Sequence, residues 1–305
     1  MAEKLKITFL GTSDAVPSAR RNHTSILLNY GGENILIDCG EGTQRQFRKA
    51  GLNPCKVNRL LITHWHGDHV LGMPGLLQTL ALSGFQKGLE IHGPKGTKKF
   101  SKEMLKSFVF ADKYSLSVEE VSGRSGKFID TEDFYIQARE MKHKVPCNAY
   151  CFKEKDKIKI DKEKLGNTSL PHGPLLQELK KGKDVRYRGR KYKAKDFTYE
   201  EKGKKVCFVL DTGFDKKIAD FVEGADILIC ESTFSKELED HAKEHNHLTA
   251  EQAGQIAKKA GVKKLVLTHI SQRYEAGGFK QILKEAKEEF KNTVMAKDFD
   301  SFEIE

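Results

Sequence analysis

Leu60-Leu-Ile-Thr-His64-Trp-His66-Gly-Asp68-His69 decides the reading of this chain. Four strong metal ligands fall within six residues, in the pattern H-x-H-x-D-H. An apolar run precedes them and Gly72 follows. Imidazole suits zinc, and a carboxylate beside it suits a harder or second metal. On a turn leaving a strand, His64 and His66 can point one way while Asp68 and His69 point another. Such a segment can feed two ions roughly 3.5–4 Å apart, the geometry that cleaves phosphoesters.

Three later sites have the form a metal centre needs. His143 follows the strand-like segment Phe134 to Arg139. Asp211 closes an apolar strand in Leu210-Asp-Thr-Gly213, and His269 closes another in Leu267-Thr-His269. A lone His or Asp is more often structural. Here four local ligands are too few for two metals, and the two oxygens of Asp211 could bridge both ions.

The chain has 305 residues, enough for one large domain or two small ones, and 38% of them are apolar. The start reads as glycine-punctuated strands, Lys6 to Leu10, Ser25 to Leu28 and Asn34 to Asp38. Helices are expected at Thr43 to Ala50, Pro74 to Ser83, near Ile218 to Phe221 and near Thr249 to Lys259. Strands at Val57 to Thr63, Val206 to Leu210, Asp226 to Cys230 and Lys264 to Thr268 carry polar residues at their ends. The two halves are coarsely alike.

The formal net charge is +10. That suits an anionic partner, nucleic acid first, or a lysine-rich solvated surface. Residues 152–205 hold 18 Lys and Arg against 9 Asp and Glu, a net of +9. This segment reads as an inserted arm, or as a disordered loop without consequence. Apolar runs are too short to span a bilayer, and Met1 leads directly toward a strand with no signal peptide. The six cysteines are scattered, with no C-x-x-C pair; Cys39, Cys207 and Cys230 read as small buried residues. Cys147 and Cys151 are spaced C-x₃-C near His143. Unpaired thiols and a reducing cytoplasm are expected.

H-x-H-x-D-H followed by His, Asp and His resembles the metallo-β-lactamase fold over nearly the whole chain. Further blocks narrow the resemblance to the ribonuclease Z family, the tRNA 3′-processing endonucleases. These are Phe9-Leu-Gly-Thr, Pro17-Ser-Ala-Arg-Arg21-Asn22, Leu36-Ile-Asp38-Cys-Gly-Glu-Gly-Thr-Gln44-Arg and Gly67-Asp-His-Val-Leu-Gly-Met-Pro-Gly-Leu-Leu. Cys230-Glu231-Ser-Thr233 and His247-Leu-Thr249 resemble its paired loops, and Gly173-Pro174 resembles its flexible tRNA-gripping exosite. Trp65, Cys230 and Leu248 depart from the family's usual Leu, His and Ser, and none removes a ligand.

The resemblance implies an α/β, four-layer αβ/βα sandwich of two mixed sheets with outer helices. It makes residues 1–305 one domain carrying an inserted basic arm at 152–205. It implies two zinc ions per subunit: one on His64, His66 and His143, the other on Asp68, His69 and His269, with Asp211 bridging. Asp38 would orient ligands, or only cap a turn. Asp68 would orient or deprotonate the attacking water. His247, oriented by Glu231, would protonate the leaving 3′ oxygen. Implied RNA contacts are Arg21, Asn22, Gly173, Pro174, Lys180, Lys181 and Arg273. Implied partners are precursor tRNA and a second copy of the chain, whose arm serves the first copy's site, with no membrane and no small-molecule cofactor. Two other readings remain: a small-molecule hydrolase of the same fold, against which the basic arm argues, and a catalytically silent RNA-binding module, against which the full ligand set argues. A cleavage-and-polyadenylation type nuclease would need a large domain between Asp211 and His269, where only 57 residues lie.

Overall fold

The structure is a computed structural model that describes residues 4–109, 114–124 and 126–304. Met1, expected to lead into the first strand, lies outside the described residues. Those residues divide into two compact units. The smaller comprises Thr131–Tyr135 and Lys153–Lys204, and the larger comprises the rest.

In chain order the strands are β1 Leu5–Gly11, β2 Ser25–Tyr30, β3 Glu33–Ile37, β4 Arg59–Leu61, β5 Leu89–Gly93, β6 Leu116–Glu120, β7 Gly126–Asp130, β8 Phe134–Glu140 and β9 Asn148–Glu154. The insertion carries β10 Lys157–Ile160, β11 Val185–Tyr187, β12 Arg190–Tyr192 and β13 Thr198–Glu201. Then follow β14 Lys205–Val209, β15 Ile227–Glu231, β16 Lys264–Thr268, β17 Thr293–Met295 and β18 Ser301–Ile304. The helices are α1 Thr43–Lys49, α2 Gly67–Val70, α3 Met73–Leu82, α4 Thr97–Lys106, α5 Lys162–Gly166, α6 Pro174–Lys180, α7 Ala194–Phe197, α8 Lys217–Val222, α9 Glu239–His245, α10 Ala250–Ala260 and α11 Phe279–Glu289.

Among the described residues, two seven-stranded sheets form the larger unit. One runs β18-β1-β2-β3-β4-β5-β6, and the other runs β17-β16-β15-β14-β9-β8-β7. In the first, β18, β1, β2 and β3 pair antiparallel and β3 to β6 pair parallel, so the sheet is mixed. Alternation along each strand sorts its side chains between two faces. Leu10, Leu27, Leu36, Leu60 and Ile91 pack with Phe47 of α1 and Met73, Leu76, Leu77 and Leu80 of α3. In the second sheet Cys207, Val209, Leu228, Cys230, Leu265 and Leu267 pack with residues of α8, α10 and α11. The opposite faces are also buried, as at Ile7, Phe9, Ile35, Tyr150, Phe208 and Ile229. There the sheets meet: the Tyr30 and Phe152 rings lie 5.1 Å apart, and Tyr150 donates its hydroxyl to the Ile62 carbonyl at 2.6 Å. Burial on both faces explains why parallel strands such as Ile227-Leu-Ile-Cys230 read as continuous apolar runs.

Two expectations need correction. The 152–205 segment reads as an inserted arm or a disordered loop, yet the smaller unit has its own core. Leu165, Leu170, Leu176, Leu179, Val185, Tyr192 and Ala194 pack together, framed by the β10–β13 and β11–β12 pairs. Its apolar residues are split among very short elements, so no single period shows. The cysteines are not all free either. Cys151 of β9 and Cys207 of β14 form a disulfide across neighbouring strands, with Cα atoms 4.1 Å apart. Positions 56 residues apart carry no local signal of pairing. With that bridge present, cysteine usage does not argue for a reducing compartment. Cys147, near His143 in sequence, is a buried thiol that donates to the Asp211 carbonyl at 3.4 Å. No helix among the described residues is long and apolar enough to cross a membrane.

Candidate metal centre and acid–base pair

His64, His66, His143, Asp211 and His269 sit in loops that follow strands, and Asp68 and His69 sit on the short helix α2 that follows β4. The loops after β3 and β4 are clamped by backbone contacts. Cys39 N–H donates to the His69 carbonyl at 2.8 Å, and Gly72 N–H donates to the Cys39 carbonyl at 2.9 Å. A Cβ at Gly72 would lie 2.0 Å from the Gly40 carbonyl oxygen, so only glycine permits this approach. The clamp sets α2, and α2 carries Asp68 and His69. Asp38, Asp211 and His269 all have positive φ, at 57°, 40° and 55°. Residues with a Cβ rarely adopt this conformation, which costs about 1–3 kcal/mol each and clusters at functional sites.

The ligand atoms converge in two groups that share one residue. His64, His66, His143 and Asp211 form the first, and Asp68, His69, Asp211 and His269 the second. In the first, His64 Nε2 is 2.9 Å from His66 Nδ1, which is 3.2 Å from His143 Nε2. Asp211 Oδ2 lies 3.6 Å from His64 Nε2. In the second, His69 Nε2 is 3.1 Å from Asp68 Oδ2, and His269 Nε2 is 3.4 Å from that oxygen. Asp211 Oδ1 lies 3.3 Å from His69 Nε2 and 3.1 Å from His269 Nε2. The two oxygens of Asp211 therefore face different groups.

These separations fit ions at both positions. Donor atoms around a tetrahedral zinc with bonds of 2.0–2.1 Å stand about 3.3 Å apart. His69 Nε2 and Asp211 Oδ1 are buried and have no hydrogen-bond partner among the described residues. Orphaned buried polar atoms are costly, and a shared cation satisfies both. The donor set of imidazoles and carboxylates suits a divalent metal.

The outer nitrogens are held by a second layer. Thr63 donates its hydroxyl to Asp38 Oδ2 at 2.7 Å, and His64 Nδ1 lies 3.1 Å from that hydroxyl oxygen. His69 Nδ1 lies 2.6 Å from Asp38 Oδ2, and Thr63 N–H donates to Oδ1 at 2.7 Å. In the other half, Thr233 donates to Glu231 Oε2 at 2.6 Å, with His269 Nδ1 2.9 Å from the Thr233 oxygen. His143 Nδ1 faces the Asn246 carbonyl at 3.2 Å. With each Nδ1–H donating outward, each Nε2 lone pair points inward. Thr63, Thr233 and Asn246 are not legible as site residues in the sequence. Their only signal there is adjacency to residues that are.

Electrostatics divide the imidazoles: burial lowers His64 and His143, whereas at His69 and His269 burial is outweighed by the facing carboxylates of Asp68 and Asp211, which raise them. Burial first, then neighbouring imidazoles, holds His64 well below the usual histidine value, in the neutral form that ligates. Burial pushes the Asp211 carboxyl up, but His269, His69 and His64 outweigh it and leave the group well below the usual range. His247 Nδ1 lies 3.1 Å and 3.2 Å from the two Glu231 oxygens. Burial pulls the His247 imidazole down, but Glu231 and Asp211 raise it to about 9. The capping box of α10, Thr249 with Gln252, fixes the chain two residues beyond His247.

The expected RNA contacts fare differently. Arg21 is 5% exposed. Its guanidinium donates to Thr12 Oγ1 and to the Ala296 carbonyl, both at 2.7 Å, and stacks on Phe279. It fastens the chain's two ends and is not presented to solvent. Asn22 donates to the Glu41 carbonyl at 2.7 Å, and its N–H bonds Asp298 at 2.8 Å. Arg273 is exposed and lies over the Phe234 ring, whose centroid is 5.9 Å from that of His247. Gly173, Pro174, Lys180 and Lys181 are exposed around α6 in the smaller unit. In the larger unit, a cavity of about 670 Å³ is lined by Arg124, Arg139, Lys142 and Lys217, by the acids Glu140 and Asp215, and by Thr212 next to Asp211.

Residues 5–92 match the family model of the anti-Pycsar protein Apyc1, and residues 172–270 match that of the beta-lactamase superfamily domain. A ribonuclease Z of Methanothermobacter thermautotrophicus is 40% identical over 301 residues, 98% of this chain and 97% of that protein. This chain belongs to the ribonuclease Z family. A ribonuclease Z of Bacillus cereus is 37% identical over 309 residues, 99% of this chain and 100% of that protein. The crystal structure of human tRNase Z, short form, matches with a TM-score of 0.71 at 27% identity, covering 97% of this chain and 98% of that one. The larger unit of this ribonuclease Z family member is thus the metallo-β-lactamase fold, with two mixed sheets between outer helices.

Proposed function

We propose that this chain is a zinc-dependent endoribonuclease that removes the 3′ trailer of tRNA precursors. The observation that carries the reading is the split carboxylate of Asp211, one oxygen toward each ligand group, beside the His247–Glu231 pair. His64, His66 and His143 would hold one divalent ion and Asp68, His69 and His269 a second, with Asp211 offering one carboxylate oxygen to each group. When bound, such a pair lowers the pKa of water and offsets the charge of a phosphodiester. Asp68 orients the attacking water or takes its proton. The new P–O bond forms in line with the bond that breaks. His247 gives its proton to the departing 3′ oxygen, a poor leaving group. Glu231 fixes the ring through Nδ1, leaving Nε2 for the substrate. The products are a tRNA 3′-hydroxyl and a trailer with a 5′-phosphate.

RNA duplexes are recognised through shape, phosphates and 2′-hydroxyls. The smaller unit, with most of the net charge, supplies phosphate contacts through Lys180, Lys181 and the Gly173-Pro174 loop. Arg273 adds one beside the acid. We infer that the chain acts as a homodimer. Mapping the ends released from an unprocessed tRNA tests the function. One cut at the 3′ side of the acceptor stem, abolished by chelation and restored by zinc, is expected. Hydrolysis of small diesters with no cleavage of that RNA would favour the small-molecule alternative.

A further inference from the structure

Helix α9 carries His241 and His245 one turn apart, with Glu244 between them. Positions i and i+4 share a helix face, and the two rings lie 4.4 Å apart. One ligand atom from each of the three residues lies within 4.8 Å of the others. Glu244 is exposed and makes no ion pair among the described residues. None of the three belongs to the centre built on Asp211.

We propose that α9 holds a separate divalent-cation site of the zinc class, formed by His241, Glu244 and His245 and completed by water. Two imidazoles and one carboxylate make a three-ligand set that zinc accepts with a position left open. Two histidines four apart on one helix face are a recurrent zinc pair. The ligand atoms already lie within 4.8 Å of one another, and closing them to about 3.3 Å takes side-chain rotation, in which the His241 ring would turn against Phe234, its edge-on neighbour at 5.0 Å. One group opposes the site. Lys144 Nζ lies 3.4 Å from His245 Nδ1. It is exposed, so its long side chain can swing into solvent.

The site would act on the neighbouring centre through the backbone. Asn246 follows α9 in a left-handed conformation, and its carbonyl faces His143 Nδ1. The His247 N–H donates to the Ala242 carbonyl at 2.8 Å. A cation clamping His241 to His245 stiffens the turn that carries His247 and supports His143.

The test uses the full chain with its centre already loaded, titrated with zinc alone at micromolar free concentration. Wild type is expected to bind one more zinc per chain than His241→Ala or His245→Ala. That difference holds whatever the catalytic stoichiometry proves to be. Zinc should also slow hydrogen exchange at the His247 amide in wild type and leave it unchanged in both variants. Removing the opposing charge with Lys144→Ala should tighten the extra zinc. Equal zinc content in wild type and a folded His241→Ala overturns the proposal. So does extra zinc that survives the His241→Ala/His245→Ala double variant.

Discussion

Glu231 and Thr233 are joined by a 2.6 Å hydrogen bond, and the Thr233 oxygen that donates it lies 2.9 Å from His269 Nδ1. Asp38 and Thr63 repeat the arrangement toward His64 in the other half. Each pair turns a strand-end acid into an orienting device for a histidine that it does not itself touch. Thr233→Val keeps the side-chain shape and removes the hydroxyl. His269 then loses the acceptor that fixes its ring. Metal affinity should fall about 10–100-fold, the usual cost of losing such support, while the fold survives. Competition against a chelator of known affinity measures it; unchanged affinity would show that the relay does not orient His269.

The shared carboxylate predicts unequal losses. His64→Ala and His269→Ala each open one group, so each should release about one metal per chain and abolish hydrolysis. Asp211→Ala removes a donor from both and should release two. Metal analysis after gentle purification decides the matter. One ion released in all three variants would mean that Asp211 does not bridge.

His247→Ala should slow cleavage of precursor tRNA by about 10²–10⁴-fold, the range for a missing general acid. The deficit should shrink on a nitrophenyl diester, whose leaving group departs without a proton. A structural role for His247 would slow both substrates alike.

The ligands are legible in the sequence because their chemistry is rare and their position is regular: His or Asp just past an apolar strand. The second layer is not. Thr63 and Thr233 are ordinary residues whose roles depend on which acid stands opposite after folding. Arg21 reads as a surface cation, yet it is buried against Ala296, 275 residues away. No local pattern anticipates that partner. α9 carries no helix signal in the sequence, since Ala242 is its one buried residue and no apolar stripe marks it. β18 is a four-residue edge strand and shows no period long enough to read.

Acid should loosen the root of the insertion. Asp156 accepts from Gly203 N–H at 2.8 Å, Lys202 Nζ at 2.9 Å and Lys153 Nζ at 3.0 Å. The Gly203 N–H first, then Lys202, holds its carboxyl well below the usual carboxylate range. A depressed folded pKa contributes stability that is present above the unfolded value of about 3.9 and disappears as pH falls toward the folded one. Protection of the Gly203 amide, relative to its intrinsic exchange rate, should therefore fall below pH about 4. In Asp156→Ala, which removes the acceptor, it should already be low at neutral pH and flat with pH. A wild-type protection that ignores pH would contradict this.

Charge on the insertion should govern RNA affinity and leave the chemistry alone. Lys157 pairs with Glu201 across β10 and β13, so the chain ends at Asp156 and Lys202 can be closed by an Asn-Gly turn. All seven core residues of the smaller unit lie between those points, so the deletion removes that core whole. Every candidate ligand lies outside it. Hydrolysis of a nitrophenyl diester should be nearly unchanged, and precursor tRNA should bind far more weakly. The slope of log K against log salt should flatten by about 0.7–0.9 for each phosphate that the protein no longer neutralises. The deleted residues 157–201 hold 13 Lys and Arg against 7 Asp and Glu, a net of +6, so several phosphates are within the reach of this effect. A folded, metal-loaded deletion variant that binds precursor tRNA with wild-type affinity and salt slope would move RNA recognition onto the larger unit, where cations such as Arg273 would have to supply it.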